Sequence, residues 1–362
     1  MTAPIPRPGI LDIMPYQGGR SKLDGVAHVA KLSSNEGALG ASPRARAAYQ
    51  AVAAELHRYP DGGCVALRAA LGRRFGLDPA RIVCGAGSDE LIGLLVHAYA
   101  GPGDEVLYPE YGFAMYPIYA RANGATPVKA PETDLTVDVD ALLAAVTPKT
   151  RIVFVANPSN PTGTVLPTSE IRRLRDGLRP DILLVLDAAY AEFVTRNDYS
   201  PGVELVDAGD NTVMCRTFSK IFGMGALRLG WCYAPAAIAD VLNRTRSPFN
   251  VSAAAQAAGV AALEDTAFFD LCLAHNRMWL PWLSEQIVAL GLGVTPSATN
   301  FLLVHFPAGD VPKAEAALAE QAVLVRAVAG YGLPNALRIT VGTEDENRRV
   351  VAGLTAYREG AA

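Results

Sequence analysis

The residue pattern predicts an α/β protein built on a largely parallel sheet, followed by a second, smaller α/β unit. Three observations carry this. Seven short β-type runs recur between residues 82 and 233, mostly separated by helix-like or turn-rich stretches, as in sheets whose strands are joined by crossover helices. After residues 247–252 (SPFNVS) the texture changes to long helical stretches and three further runs. A chain of 362 residues also suits about two domains, each able to bury its own core.

Taken in order, residues 1–30 read as an N-terminal arm that joins the smaller unit. Its start, MTAPIPRPGILDIMPY, is broken by prolines and lacks the basic start and apolar stretch of a signal peptide. Ser42-Pro43 then offers a capping residue and an imino acid suited to a first helical turn, and Ala45, Tyr49, Val52 and Leu56 share one face, which predicts a helix over 42–57. Leu67, Leu71 and Phe75 recur every fourth residue before Gly76, which predicts a second helix. The β-type runs are 82–84, 105–108, 126–129, 151–156, 182–186, 212–216 and 229–233, giving a seven-stranded sheet in a large domain spanning 31–250. A small C-terminal domain, 251–362, holds runs at 301–306, 323–328 and 337–342. Thr343 and Glu346 form a capping box for its last helix, with Val350 and Leu354 behind it.

Composition narrows the function. Half the residues are apolar and 19% are charged, which excludes a disordered or fibrous chain. A net charge of −4 offers no basic field for nucleic acid or anionic lipid. No apolar run approaches the ~20 residues of a membrane span. The five cysteines are an odd count without CxxC spacing, and the five histidines are scattered, so we expect reduced thiols, a cytoplasmic setting and no metal.

In open α/β sheets ligands gather at the carboxyl ends of parallel strands. Just past those ends lie Asn160, Asp187 with Tyr190 three residues on, and Thr217, Ser219 and Lys220. Singly each has an ordinary reading: Asn-Pro-Thr-Gly as a turn, an aspartate as a helix cap, a lysine as a solvated surface charge. Lys220, however, stands between Cys215-Arg216-Thr217-Phe218 and Ile221-Phe222-Gly223-Met224, a poor solvent face, and burying an ammonium without purpose costs several kcal/mol. The run GAGSDE at 85–90 is a Gly-rich turn opening a helix, an anion cradle made of backbone N–H groups. As a dinucleotide fingerprint it lacks the third glycine, and a single phosphate fits it better. Arg228 is placed to clamp the same phosphate.

These residues resemble the fold-type I, class I/II pyridoxal-phosphate aminotransferases, and within them the histidinol-phosphate aminotransferase group. The resemblance covers nearly the whole chain: PYQGG, LSSNE at 32–36, RYPDGGCVALR at 58–68, GAGSDELI at 85–92, YPEYGFAMY at 108–116, NPSNPTG at 157–163, DAAYAEF at 187–193, TFSKIFGMGALRLGW at 217–231, TNFLL at 299–303 and LRITVGT at 337–343. It implies pyridoxal 5'-phosphate joined to Lys220, which also carries the substrate proton, and Asp187 at the pyridine nitrogen. Tyr190 and Asn160 would bond the ring hydroxyl and Tyr111 would stack on the ring. Ser88, Asp89, Thr217, Ser219 and Arg228 would hold the phosphate, and Tyr59 would reach the phosphate of a neighbouring subunit in a homodimer. Tyr16, Asn35, Arg326 and Arg338 would meet the substrate, an amino donor or a 2-oxo acid.

One departure stands out: Gly37, Ala38 and Ala41 replace an amide and two prolines in a loop that borders the substrate in the family. The expected reaction is amino transfer between L-histidinol phosphate and 2-oxoglutarate in histidine biosynthesis. Three readings remain beside it: an aromatic amino acid aminotransferase, a phosphothreonine decarboxylase-like lyase of the same fold, and a non-catalytic regulator.

Overall fold

A computed structural model describes residues 4–23, 25 and 28–360; the remaining residues of the expected arm lie outside it. The seven runs become β1 (Ile82–Gly85), β2 (Glu105–Pro109), β3 (Thr126–Ala130), β4 (Thr150–Ala156), β5 (Leu183–Asp187), β6 (Thr212–Thr217) and β7 (Gly230–Tyr233), in the order β1-β7-β6-β5-β4-β2-β3. β7 runs antiparallel to both neighbours and every other adjacent pair is parallel. Both faces of the sheet are covered, so alternate residues enter different cores. Ile152, Phe154 and Val185 face one core, while Val153, Val155 and Leu184 face the other, so the centres of β4 and β5 are apolar at successive positions.

Of the helices, α1 (Pro43–Ala51) is capped by Ser42 Oγ, which accepts from the Ala45 N–H at 3.0 Å. It stops earlier than expected and continues as a tighter turn over Val52–Glu55. Of its expected face only Ala45 is buried; Tyr49 and Leu56 stay exposed. α2 (Val65–Phe75) buries Leu67 and Leu71 and ends at Gly76, whose φ of 68° is left-handed. α3 (Ser88–Tyr99) and α4 (Met115–Ala122) follow β1 and β2.

The passage into the smaller unit lies within a helix rather than at residue 251. α5 (Ala253–Glu264) contributes Ala255, Ala258 and Leu263 to the core that holds Leu67 and Phe218. α6 (Thr266–Ala289) packs Phe269 and Leu273 on that core near its start but Leu283 and Ile287 on the second core near its end. Apolar texture could not place this change, because one continuous helix serves both. The second sheet is antiparallel, β8 (Gly293–Thr295), β9 (Phe301–His305), β10 (Arg326–Ala327) and β11 (Ala336–Thr340), ordered β8-β9-β11-β10. The 323–328 run is split: Val323–Leu324 pairs in parallel with Ala30–Lys31, and Arg326–Ala327 joins β11. α7 (Glu344–Gly360) carries the capping box, with the Thr343 N–H donating to Glu346 Oε2 at 2.8 Å.

Candidate active site

β4, β5 and β6 end side by side, and a cavity of about 480 Å³ opens at their carboxyl ends. Asp187 closes β5 and is buried. Its Oδ2 accepts a hydrogen bond from the Tyr116 hydroxyl at 2.9 Å, while Oδ1 is buried without a partner. Burial pushes its carboxyl up to about 6, against the Tyr116 hydroxyl, which favours the charged form. Lys220, three residues past β6, donates from Nζ to the Ser34 carbonyl at 3.4 Å and lies 5.6 Å from the centre of the Tyr190 ring. Burial, then the charge of Arg338, pushes its amine down to about 8. A neutral, nucleophilic amine is thereby within reach near neutral pH.

One end of the cavity is an anion cradle. Gly87 has a φ of +87° at the start of α3, and a Cβ built there would stand 2.6 Å from Arg228 Nη2. A Cβ on Gly230 would stand 2.1 Å from the Ser88 nitrogen. The absence of side chains at these two positions brings β7, the α3 N-terminus and the Arg228 guanidinium together. Ser88, Asp89, Thr217, Ser219 and Arg228 all line the cavity here.

The other end is reached from the second sheet. Arg338 on β11 donates from Nη1 to Asn160 Oδ1 at 2.6 Å and from Nη2 to the Ser33 carbonyl at 3.0 Å, and its Nε is buried without a partner. The Asn35 side-chain amide donates to the Tyr190 hydroxyl at 2.8 Å, with its own N–H held by Thr340 Oγ1 at 3.0 Å. Arg326 donates to the Gln17 carbonyl at 2.7 Å beside Tyr16, and both Arg326 and Tyr16 line the cavity.

The structure thus gathers Tyr16, Asn35, Ser88, Asp89, Asn160, Asp187, Tyr190, Thr217, Ser219, Lys220, Arg228, Arg326 and Arg338 around one space. Tyr111 does not reach it: its N–H bonds Glu132 and its ring lies against Gly332, while Phe113 and Met115 line the wall instead. After β2 the chain turns, with the Gly112 N–H donating to the Pro109 carbonyl, so alternation no longer tells which aromatic residue points inward. Tyr59 is also outside, 82% exposed and stacked on Phe249 at 4.7 Å. Gly37, Ala38 and Ala41 do not line the cavity either. A Cβ on Gly37 would come within 2.9 Å of the Lys220 carbonyl, so this loop backs the lysine rather than widening the pocket. Tyr331, which nothing in its sequence context marks, lines the wall beside Arg338.

Residues 27–354 match the family described as aminotransferase class I and II. Among curated relatives, histidinol-phosphate aminotransferases from Paramagnetospirillum magneticum and Rhodospirillum rubrum are 64% and 62% identical over 360 residues, covering 99% of this chain and 99% and 98% of theirs. A crystal structure of histidinol-phosphate aminotransferase from Sinorhizobium meliloti in complex with pyridoxal-5'-phosphate is similar with a TM-score of 0.84 at 28% identity, covering 92% of each chain.

Proposed function

The chain belongs to the class I and II aminotransferases, and from that premise we propose that it transfers an amino group between L-histidinol phosphate and 2-oxoglutarate, with pyridoxal 5'-phosphate as cofactor. The observation that carries the proposal is that Lys220 and Asp187 share one cavity with Tyr16, Arg326 and Arg338.

The donor set suits the cofactor. Asp187 Oδ1 is a buried oxygen without a partner, the acceptor that a protonated ring nitrogen requires, and the close approach at Gly87 and Gly230 sets the Arg228 guanidinium beside the α3 N-terminus, donors suited to a phosphate. When bound, the cofactor supplies an electron sink for negative charge at the substrate carbon. Lys220 would hold it covalently at rest and, once freed, would move the proton at that carbon. Asp187 would keep the ring nitrogen charged, and Tyr190 and the Asn160 side-chain amide, which line the same cavity, would hold the ring oxygen. Phe113, which lines the cavity where Tyr111 does not, would take the stacking role expected of Tyr111.

At the far end Arg338 and Arg326 provide planar forks that accept a phosphate from one substrate and a carboxylate from the other. The names of the relatives support histidinol phosphate as the amino donor. We further propose a cytoplasmic homodimer. The five cysteines are free thiols, and Tyr49, Leu56, Tyr59, Val65 and Phe249 leave an exposed apolar surface around the segment that carries Tyr59.

The test is kcat/KM for histidinol phosphate beside phenylalanine, tyrosine and phosphothreonine, with the keto product and released carbon dioxide both followed. Histidinol phosphate should lead phenylalanine and tyrosine by about 100-fold or more, because losing the distal anion leaves buried cationic donors unpaired. An aromatic donor of equal or better efficiency would favour the aromatic aminotransferase reading, and carbon dioxide release would favour the lyase.

A further inference from the structure

We infer that α4 is a clamp on the cofactor site: Tyr116 and Tyr119 are positioning residues that hold the carboxylates at its two ends, Asp187 and Asp89. The inference rests on the cofactor reading above. The two tyrosines are three residues apart, so they leave one face of the helix. The Tyr116 hydroxyl donates to Asp187 Oδ2 at 2.9 Å, and the Tyr119 hydroxyl donates to Asp89 Oδ2 at 3.0 Å. In both carboxylates the second oxygen, Oδ1, is buried without a partner, and both residues line the cavity. Each phenol therefore occupies one oxygen and fixes the rotation of the other.

The packing around α4 fits this role. Tyr116 is fully buried and stacks on Phe154 of β4 with ring centres 4.5 Å apart and planes 7° from parallel. Its hydroxyl is held in place by that sandwich rather than by solvent. Tyr119 lies against α3 at Gly93, where a Cβ would stand 2.9 Å from its ring. The bare backbone at Gly93 makes the room that lets a phenol from α4 reach the first turn of α3.

The two contacts do different work. At Asp187 a hydroxyl donor favours the ionised carboxylate that a charged ring nitrogen needs, and so opposes the cost of burial. At Asp89 the carboxylate stands in an anion cradle, where it would repel a phosphate and compete for the same backbone N–H groups. Tyr119 turns it towards α4 and leaves the α3 N-terminus open to the phosphate.

The experiment uses Tyr116→Phe and Tyr119→Phe, which keep both rings, in the full-length protein. Binding of pyridoxal phosphate and of pyridoxal to the cofactor-free form is followed by absorbance across pH. Tyr119→Phe should weaken pyridoxal phosphate binding roughly ten-fold and leave pyridoxal binding unchanged. Tyr116→Phe should move the acid midpoint of the bound cofactor's absorbance up by about one pH unit, and that shift should vanish when Asp187→Asn is already present. The other titratable groups that face Asp187 are Lys220, Asp89, Cys215, Tyr190 and Tyr199, and all are kept in the tyrosine variants. Equal weakening of both ligands by Tyr119→Phe, or a Tyr116→Phe shift that persists with Asp187→Asn, would mean the tyrosines only pack the core and would overturn the clamp. Failure of the wild-type chain to bind pyridoxal phosphate would overturn the cofactor reading and the clamp with it.

Discussion

Arg338 Nη1 lies 2.6 Å from Asn160 Oδ1, joining the second sheet to the loop after β4 across 178 residues of sequence. The same guanidinium spends Nη2 on the Ser33 carbonyl at 3.0 Å and keeps Nε buried without a partner. One side chain thus ties both units to the cavity and retains a donor for an incoming anion. Arg338→Lys should lower kcat/KM by roughly 30-fold or more, mostly through KM, because an ammonium cannot hold two fixed protein acceptors and an anion in one plane. Steady-state kinetics with both substrates would check it. An unchanged KM for the amino donor and the 2-oxo acid alike would remove Arg338 from substrate recognition.

Lys220→Ala should abolish transamination while the protein still folds, and it should leave a signature in the cofactor-free form. The unfolded chain protonates Lys220 below about 10.5, the folded chain only below about 8. Between those values the unfolded state binds more protons, so this residue makes stability rise with pH. Urea unfolding at several pH values across that window should show a rising term in the wild-type chain that Lys220→Ala lacks. Parallel curves for the two would mean that the amine is not held neutral by its surroundings.

The strands and the polar residues that end them were legible because each depends on local pattern. The centres of β4 and β5 are apolar at successive positions since both faces are covered, and Asp187 stands where β5 stops while Lys220 follows β6 by three residues. Phe113 was not legible. It shares an aromatic-rich turn with Tyr111, and only the direction of that turn decides which ring faces the cavity. Tyr331 sits in a short tight turn, Ala329–Tyr331, and reaches the wall only because β11 brings Arg338 there. The apolar face expected over 42–57 differs for a related reason: Tyr49 and Leu56 repeat as core residues do, yet nothing among the described residues covers them.

Asp187→Asn should retain cofactor and lose most turnover, since an amide cannot keep the ring nitrogen charged. Burial raises the folded carboxyl from 3.8 to about 6, so the folded state holds a proton that the unfolded state has released. This residue's contribution to stability therefore falls as pH rises from 3.8 towards 6 and stays low above that. The cofactor-free Asn variant should gain on the order of 3 kcal/mol over wild type at pH 7 and little at pH 3.5. Denaturant unfolding at the two pH values checks this, and a gain of equal size at both would point to packing rather than charge.

Tyr59 is the residue whose position argues for a partner subunit. It is 82% exposed, yet its ring is already stacked on Phe249, which is itself 44% exposed, and Leu56 and Val65 on either side are open as well. A tyrosine held in fixed orientation on an open apolar surface serves a second chain better than it serves solvent. If Tyr59 completes the phosphate shell of the opposite site, each site needs Lys220 from one chain and Tyr59 from the other. Mixing Lys220→Ala protein with Tyr59→Phe protein under subunit exchange should then give heterodimers with one site that has both groups intact and one that lacks both. Activity should rise above the sum of the two parents by an amount set by the heterodimer fraction, to at most about half of wild-type activity per heterodimer. Sedimentation velocity measured alongside fixes that fraction. Full activity in a monomer at assay dilution, or a mixture no more active than its parents despite proven exchange and a severe Tyr59→Phe defect, would show that the sites are not shared.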